Sequence, residues 1–552
     1  MAASEQMIVG IDVGSAQIAI ASWPSLQTAR LPCCIAYDAR RSPLWPPYLT
    51  GQAATSQAIV NARQTAWALP RLLGRAHDSA EALFEAERTP TRRARNDRGD
   101  TLLQLTERPM CPEEGLAHLL RQAVLQLGGE RAEEITEVVL TVPAQWSRAQ
   151  RQALSHAARL AGLKVTQLVA APVAAALSVL MAPQSLQAPA EQGTAQAQEE
   201  HQATEHEEGA DSASQDAPGP EAEAQPVAPQ HLLAVDVGAG TWDVGVLSVT
   251  PAQIVVLQLR SVRWGGDGVD DVLMQRVATE FYDSHGLDLR AHPMAHERLR
   301  EGMRRARERL GDDAETTLEL PYIAADASGP KHVQVPLTRA AVLDAMMDGL
   351  SEGISACQDA LQEAELGAGT LDAIWLSGGM AQAPGLKDAL EALGGPVQVL
   401  AQDAAAQGAA QLAAVYAEAL EGPALTVSPE ARAQAVPEGP KQGLTQAELQ
   451  ALLDAQDSLL AEASRAQALT ALRARAQTLL ANLAQSTQAA LATETSEDLD
   501  NEPLHGLKLA MQAVEEALGD ADSSEEGHIE LTQRLQSLDI AAAQWQRGAA
   551  HA

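Results

Sequence analysis

Two short acid-glycine turns are the residues best placed to do chemistry. The first is Ile8-Val9-Gly10-Ile11-Asp12-Val13-Gly14-Ser15 and the second is Leu233-Ala234-Val235-Asp236-Val237-Gly238-Ala239-Gly240-Thr241. In each, a β-rich run delivers one Asp to a turn where glycine lets the backbone bend tightly and point N–H groups at an anion, while the carboxylate can hold a hydrated divalent cation. A pair of such loops can grip a polyphosphate. The plainer alternative, an Asp that only caps a hairpin turn, explains one such turn more readily than two in the same context. A further glycine pair, Gly378-Gly379, follows the apolar run Ala373-Ile374-Trp375-Leu376-Ser377 and precedes a helical pattern over 384–393. That junction is either an ordinary tight turn or a place where the sugar and base of a nucleotide approach the backbone closely.

The elements that must carry these turns can be read on either side of them. The chain resumes as a strand after each (Ile18-Ala19-Ile20; Val244-Gly245-Val246-Leu247), so both turns are expected at hairpin tips. This argues against a P-loop or a dinucleotide fold, whose glycines lead directly into a helix. Ile135 to Pro143 reads as a strand stopped by proline, Ser147 to Ala161 as a helix with one apolar face, and Val165 to Val169 as the next strand. Strand and helix signals thus alternate, which gives an α/β class. Two like turns in like surroundings suggest a duplicated, two-lobed clamp.

Composition narrows the partners. The chain has 552 residues, enough for two or three domains, and 73 acidic against 39 basic residues give a formal charge of −34. Nucleic acid and anionic membrane are therefore poor partners. Apolar runs are short, no signal peptide is evident, and a cytoplasmic location is expected. Cys33, Cys34, Cys111 and Cys357 show no C-x-x-C pairing and read as buried thiols, and the thirteen histidines include no H-E-x-x-H.

Composition breaks divide the chain. A first lobe over 1–182 is followed at 183–230 by an acidic insertion: from Gln184 to Gln230 there are ten Asp or Glu, no Lys or Arg, and only Leu186 and Val227 as large aliphatics. Such a stretch buries too little surface to offset its ordering entropy and is expected to be disordered. A second lobe spans 231–421. Gly422 to Gly443 carries Pro423, Pro429, Pro437 and Pro440 and reads as a linker. Beyond it, Thr445-x-x-Glu448 is a capping box, and Leu stripes (Leu449, Leu452, Leu453; Leu469, Leu472; Leu507; Leu531, Leu535, Leu538) predict an α-helical module over 444–548. Such stripes are more often a bundle core than a binding face.

With these residues in view, the chain resembles the nucleotide-binding domain of the seventy-kilodalton heat-shock (DnaK-type) chaperones, within the actin and sugar-kinase superfamily. Gly10 to Gly14 resembles their first phosphate turn and Asp236 to Val244 their second. Thr141-Val142-Pro143-Ala144, Gln150-Arg151-Gln152-Ala153, Arg159-Leu160-Ala161-Gly162-Leu163 and Ala171-Pro172-Val173-Ala174-Ala175-Ala176-Leu177 are similar to the segment between the two turns. Arg71-Leu72-Leu73-Gly74-Arg75, Gly265-Gly266-Asp267 and Leu376-Ser377-Gly378-Gly379 fall in family order. The likeness spans 7–182 and 231–420. It implies a two-lobed actin-like ATPase fold with ATP or ADP and Mg at the bottom of a cleft. On that resemblance Asp12, Asp236 and Thr241 would be the catalytic residues, with Asp12 and Asp236 holding the metal through water. Gly14, Ser15, Ala16, Gln17, Gly238, Ala239, Gly240, Thr241, Gly265, Arg307, Gly378 and Gly379 would bind the nucleotide. Arg159 matches an arginine near the docking site of J-domain co-chaperones, which implies that partner alongside protein clients.

Departures from the pattern are as informative. Where the family carries a lysine before its Arg-Leu-Ile-Gly-Arg, this chain has Pro70; where it has an acidic residue before Pro-Thr-Ala-Ala-Ala, this chain has Ala171. Neither replacement can carry a charge or ligate a cation. Loss of one such group typically costs about 100- to 1,000-fold in rate, so hydrolysis is expected to be slow or absent. On the nucleoside side, polar family residues become Met380 and Gln382, and Glu308 stands where an arginine is expected against the adenine. No β-sandwich for peptide binding fits between 422 and 443. The leading expectation is a chaperone-family protein that binds ATP and hydrolyses it weakly or not at all. The alternative is a scaffold or adaptor that has lost nucleotide and works through its helices and acidic insertion. A sugar or acid kinase is least favoured, since no substrate-phosphorylating base stands out.

Overall fold

Ile8–Val13 and Gln17–Trp23 pair antiparallel with Asp12 and Gly14 at the tip, and Gln230–Val237 and Trp242–Val249 do the same with Asp236 and Gly238 at theirs. Both turns therefore lie where the strand signals predict. This is a computed structural model, and it describes residues 7–39, 48–182, 228–367, 369–429, 431, 443–493, 502–520 and 525–549. The described residues fall into two compact units, one within Met1–Tyr37 and Tyr48–Gly443, the other within Asp38–Pro47 and Leu444–Ala552.

The first unit holds two sheets of like construction. In one, Glu137–Val142 lies parallel to the first strand of the hairpin and Lys164–Ala170 parallel to Glu137–Val142, while Thr28–Pro32 closes the other side antiparallel. In the other, Ala373–Ser377 and Val397–Val399 take the same parallel places beside Gln230–Val237, and Gln253–Val262 the antiparallel one. The duplication inferred from two turns thus extends to the order and direction of five strands in each lobe. Most hairpin positions are buried, as expected for strands covered on both faces.

The helices that cover the sheets are exchanged. Ala171–Leu180, which follows the last strand of the first sheet, packs Pro172 and Val173 against Gly245 of the second. Ala404–Tyr416, which follows the second sheet, packs Ala406, Ala409 and Ala410 against Gly10 of the first. The segment read as the second lobe therefore ends on the first. The two helices also cross each other so closely that a β-carbon on Gly408 would lie 1.8 Å from the Ala174 carbonyl oxygen. Alanine and glycine at the crossing leave the room this needs.

Smaller elements accompany each sheet, and of these the turn Leu69–Arg71 and the helices Gly266–His285 and Pro293–Arg309 supply residues to the cavity between the sheets. A three-stranded sheet, the turn Leu69–Arg71 and the helix Ala80–Arg88 belong to the first lobe; the helices Gly266–His285, Pro293–Arg309 and Arg339–Glu363 and the hairpin Glu315–Asp326/Gly329–Thr338 belong to the second. The predicted helix at 147–161 is Arg148–Leu160, and Ser147 caps it reciprocally with Gln150.

Three expectations need correction. The stretch from Gly422 does not begin as a linker, because Ala424–Val427 adds a sixth strand parallel to Gln253–Val262. Its Leu425 and Val427 reach the apolar core, a pairing that proline content alone conceals. Cys111 is only half-buried and caps the helix Pro112–Gly128, its Sγ accepting the Glu114 N–H at 3.4 Å. Gln230, placed in the insertion, already opens a strand. The rest of the insertion, 183–227, lies outside the described residues.

The described elements of the second unit are the helices Gln446–Thr493, Glu502–Asp520 and Glu525–Ala549. Leu469, Leu480, Leu483, Leu507, Val514, Leu531, Leu535 and Leu538 form its core, so the stripes face one another. No described helix is long and apolar enough to cross a membrane.

Candidate functional site

Neither turn aspartate caps its own turn. Thr141, near the end of Glu137–Val142, donates its hydroxyl to Asp12 Oδ1 at 2.5 Å and accepts the Val13 N–H at 3.1 Å. Ser377, at the end of Ala373–Ser377, donates to Asp236 Oδ1 at 2.7 Å. Each carboxylate is thus oriented by a hydroxyl from the adjacent parallel strand, a second trace of the duplication. The Gly238 N–H donates to the Thr241 carbonyl at 2.9 Å and closes the second turn. Gly378 is left-handed at φ +92, and a β-carbon there would strike Val237 backbone at 2.4 Å, whereas one on Gly379 would meet nothing within 4 Å. One glycine permits the close approach of two strands; the other leaves open space.

These elements surround a cavity of about 400 Å³. Its wall includes Asp12, Gly14, Ser15, Ala16, Gln17, Asp236, Gly238, Ala239, Gly240, Thr241, Arg307, Gly378 and Gly379, which brings together all but one of the residues singled out from sequence. Gly265 is the exception. It backs the second turn, with no room for a β-carbon beside the Gly238 oxygen at 2.4 Å, while the neighbouring Gly266 N–H donates to that oxygen at 3.0 Å. Pro70 and Ala171 also line the cavity, Pro70 in the short turn before Arg71 and Ala171 at the start of its helix. Arg159 is exposed on the helix Arg148–Leu160, away from the cavity wall.

The floor is strongly acidic. Burial and the nearby Asp236 push the Asp12 carboxyl up to about 7, only partly offset by the Thr141 hydrogen bond, with Asp403 and Asp243 adding repulsion. Burial also raises Asp236, against the Ser377 hydrogen bond, and lifts Asp243 to about 6 although Asp243 accepts the Ala144 N–H at 2.7 Å. Four carboxylates thus converge, and among the described residues no cation pairs with Asp12 or Asp236. The arginines in the wall are engaged elsewhere: Arg30 with Asp403, Arg71 with Asp267 at 2.5 Å, Arg304 with Glu308 at 2.7 Å, and Arg307 with Asp270 at 2.7 Å. A surplus of oriented carboxylate beside glycine-cleared backbone fits a hydrated divalent cation carrying an anion. Among the described residues the wall holds no lysine and no histidine.

The family model described as Hsp70 protein matches residues 8–428, more than half of the chain. The chain belongs to the Hsp70 family. Membership brings the actin-like, two-lobed fold of a nucleotide-binding family and a chaperone-family role. Three residues of the cavity wall, Thr141, Asp243 and Asp403, are not among those the sequence singles out. Asp243 and Thr141 sit inside motifs that were read as markers of order and not as participants. Asp403 precedes an alanine-rich helix with no motif of its own; it reaches the first lobe by accepting from Thr28 Oγ1 at 2.8 Å and from Arg30. An acid at a strand-to-helix junction was the available signal.

Proposed function

We propose that this Hsp70-family protein binds ATP or ADP with Mg²⁺ in the cleft between its lobes and hydrolyses ATP weakly or not at all. Asp12 and Asp236 would hold the cation through its water shell, with Thr241 and the N–H groups of Gly14 to Gln17 and Gly238 to Gly240 toward the phosphates. Gly378 and Gly379 would lie along the sugar, and Arg307 toward the base. Bound Mg²⁺ would supply charge neutralisation for the polyphosphate and for the carboxylates beneath it. The observation that carries the reading is the lining itself: two phosphate-type turns face one cavity, yet Pro70 and Ala171 occupy its wall and, among the described residues, no lysine or histidine does. Among the described residues of the wall the only cations are arginines, and each would have to leave an ion pair to bring a positive charge to the developing phosphoryl charge.

One observation favours the second reading, a scaffold without nucleotide. Every arginine of the wall is already paired, and Glu308 replaces a cation on the base side. Thermal denaturation with Mg·ADP separates the two, since a ligand at 100 times its Kd stabilises by about 2.7 kcal/mol. The expected result is a clear upward shift with Mg·ADP together with negligible single-turnover hydrolysis of ATP. No shift at millimolar nucleotide would favour the scaffold, and rapid hydrolysis would overturn the weak-ATPase reading. Clients would be met by the helical module, a J-domain partner by Arg159, and the four free cysteines suit a reducing cytoplasm.

A further inference from the structure

Arg71 lines the cavity against the second turn without being part of either turn. A β-carbon on Gly240 would lie 2.6 Å from both Nε and Nη2 of Arg71, so the guanidinium lies directly against the second turn. Arg71 comes from the first lobe, on the short turn that also carries Pro70, and that turn begins at Ala68 with a left-handed φ of 53°. Such a conformation costs an L-residue about 1–2 kcal/mol, and here it aims the following residues into the cavity. The side chain is only 14% exposed; Nη1 donates to Glu85 at 3.0 Å and Nη2 to Asp267 at 2.5 Å, while Nε has no hydrogen-bond partner. Guanidinium geometry presents five N–H donors, so this arrangement leaves donors unused at the edge of the cavity. Asp267 has other cations to fall back on. Burial opposes its ionisation, but Arg71, Arg88 and Arg300 together hold its carboxyl below the usual range.

We infer that Arg71 is a phosphate ligand held in reserve: a polyphosphate on Gly238–Thr241 takes its guanidinium from Asp267. The inference rests on the nucleotide-binding reading above and names the side chain that stands in for the charge absent at Pro70. Arginine recognises phosphate through paired N–H donors, and an exchange of carboxylate for phosphate keeps its charge matched throughout. Because Asp267 belongs to the second lobe, the same exchange would loosen one tie between the lobes when nucleotide arrives.

Calorimetric titration of the full chain with Mg·ADP and with a non-hydrolysable Mg·ATP analogue tests this in the wild type, Arg71→Met, Arg71→Lys and Asp267→Asn. Loss of a charged hydrogen-bonding partner predicts that Arg71→Met weakens the analogue about tenfold or more. Arg71→Lys should fall between it and the wild type. Asp267→Asn should tighten the analogue several-fold, because the competitor for Arg71 is gone. A purely structural inter-lobe tie predicts instead that Arg71→Met and Asp267→Asn shift affinity in the same direction, and that result, or an unchanged affinity in Arg71→Met, overturns the inference while nucleotide binding stands. If the wild type binds neither nucleotide, the nucleotide-binding reading fails and this inference falls with it. Should Arg71→Met not fold, the sign of the Asp267→Asn effect decides alone.

Discussion

A carboxyl that titrates at about 7 in the folded chain, against about 4 in an unfolded one, makes the stability of the fold depend on pH. Below about pH 4 Asp12 is protonated in both states and nothing is lost. As pH rises toward 7 the unfolded chain releases its proton while the folded one retains it, so stability falls across that window and stays low above it. Asp243, lifted to about 6 by burial, acts in the same direction. Asp12→Asn should therefore raise the melting temperature of the nucleotide-free protein at pH 8 and leave it nearly unchanged at pH 4. Each pKa unit corresponds to about 1.4 kcal/mol, so the gain at pH 8 should be on the order of a few kcal/mol at most. The same substitution should abolish stabilisation by Mg·ADP, measured in the same melts. Asp12 and Asp236 were legible in the sequence because a strand, an acid and a glycine adjoin in the chain. Their partners Thr141 and Ser377 lie 129 and 141 residues away, and no local pattern announces a hydroxyl that will cross to the next strand.

Strands and helices were read correctly where periodicity and caps agreed, and the capping box at Thr445 is a clean instance. Thr445 Oγ1 accepts the Glu448 N–H at 3.2 Å, and Glu448 Oε2 accepts the Thr445 N–H at 2.8 Å. Thr445→Ala should weaken the helical unit by about 1 kcal/mol, measured by its denaturant midpoint. Reading failed where an element's role depends on what it packs against. Ala424–Val427 is four residues beside a proline, and only the open edge of Gln253–Val262 makes it a strand. The exchanged helices were equally hidden, because small residues at 171–180 and 404–416 look like ordinary helix formers until the crossing is seen. Gly408 is the tightest point of that crossing. Gly408→Val would force the helices apart or strain the backbone and should destabilise the first unit by about 3 kcal/mol or more, visible as a lowered melting temperature with helix content retained.

Across the first unit, the lobes are tied at the cleft mouth by Arg71 and Arg88 of one lobe with Asp267 and Asp271 of the other, and by the Arg300 guanidinium 4.0 Å from the Trp67 ring centre. None of this is visible in the sequence, where these residues are scattered charges. The helical unit is a different matter, since its presence straight after residue 443 follows from composition and bounds what the molecule can do. A groove that captures an extended peptide needs strands to give it main-chain hydrogen bonds and pockets for alternate side chains. After Ala424–Val427 the described residues contain only helices, and the eleven residues 432–442 cannot supply the roughly seven strands of a sandwich. The helices turn their leucines toward one another, which buries the apolar faces that such a groove would need to expose. Short hydrophobic peptides labelled for fluorescence anisotropy should therefore show no saturable binding to the full chain, and Mg·ATP should not change the signal. Micromolar binding released by Mg·ATP would mean that some other surface performs nucleotide-gated capture, and a conventional chaperone cycle would have to be restored to this member of the family.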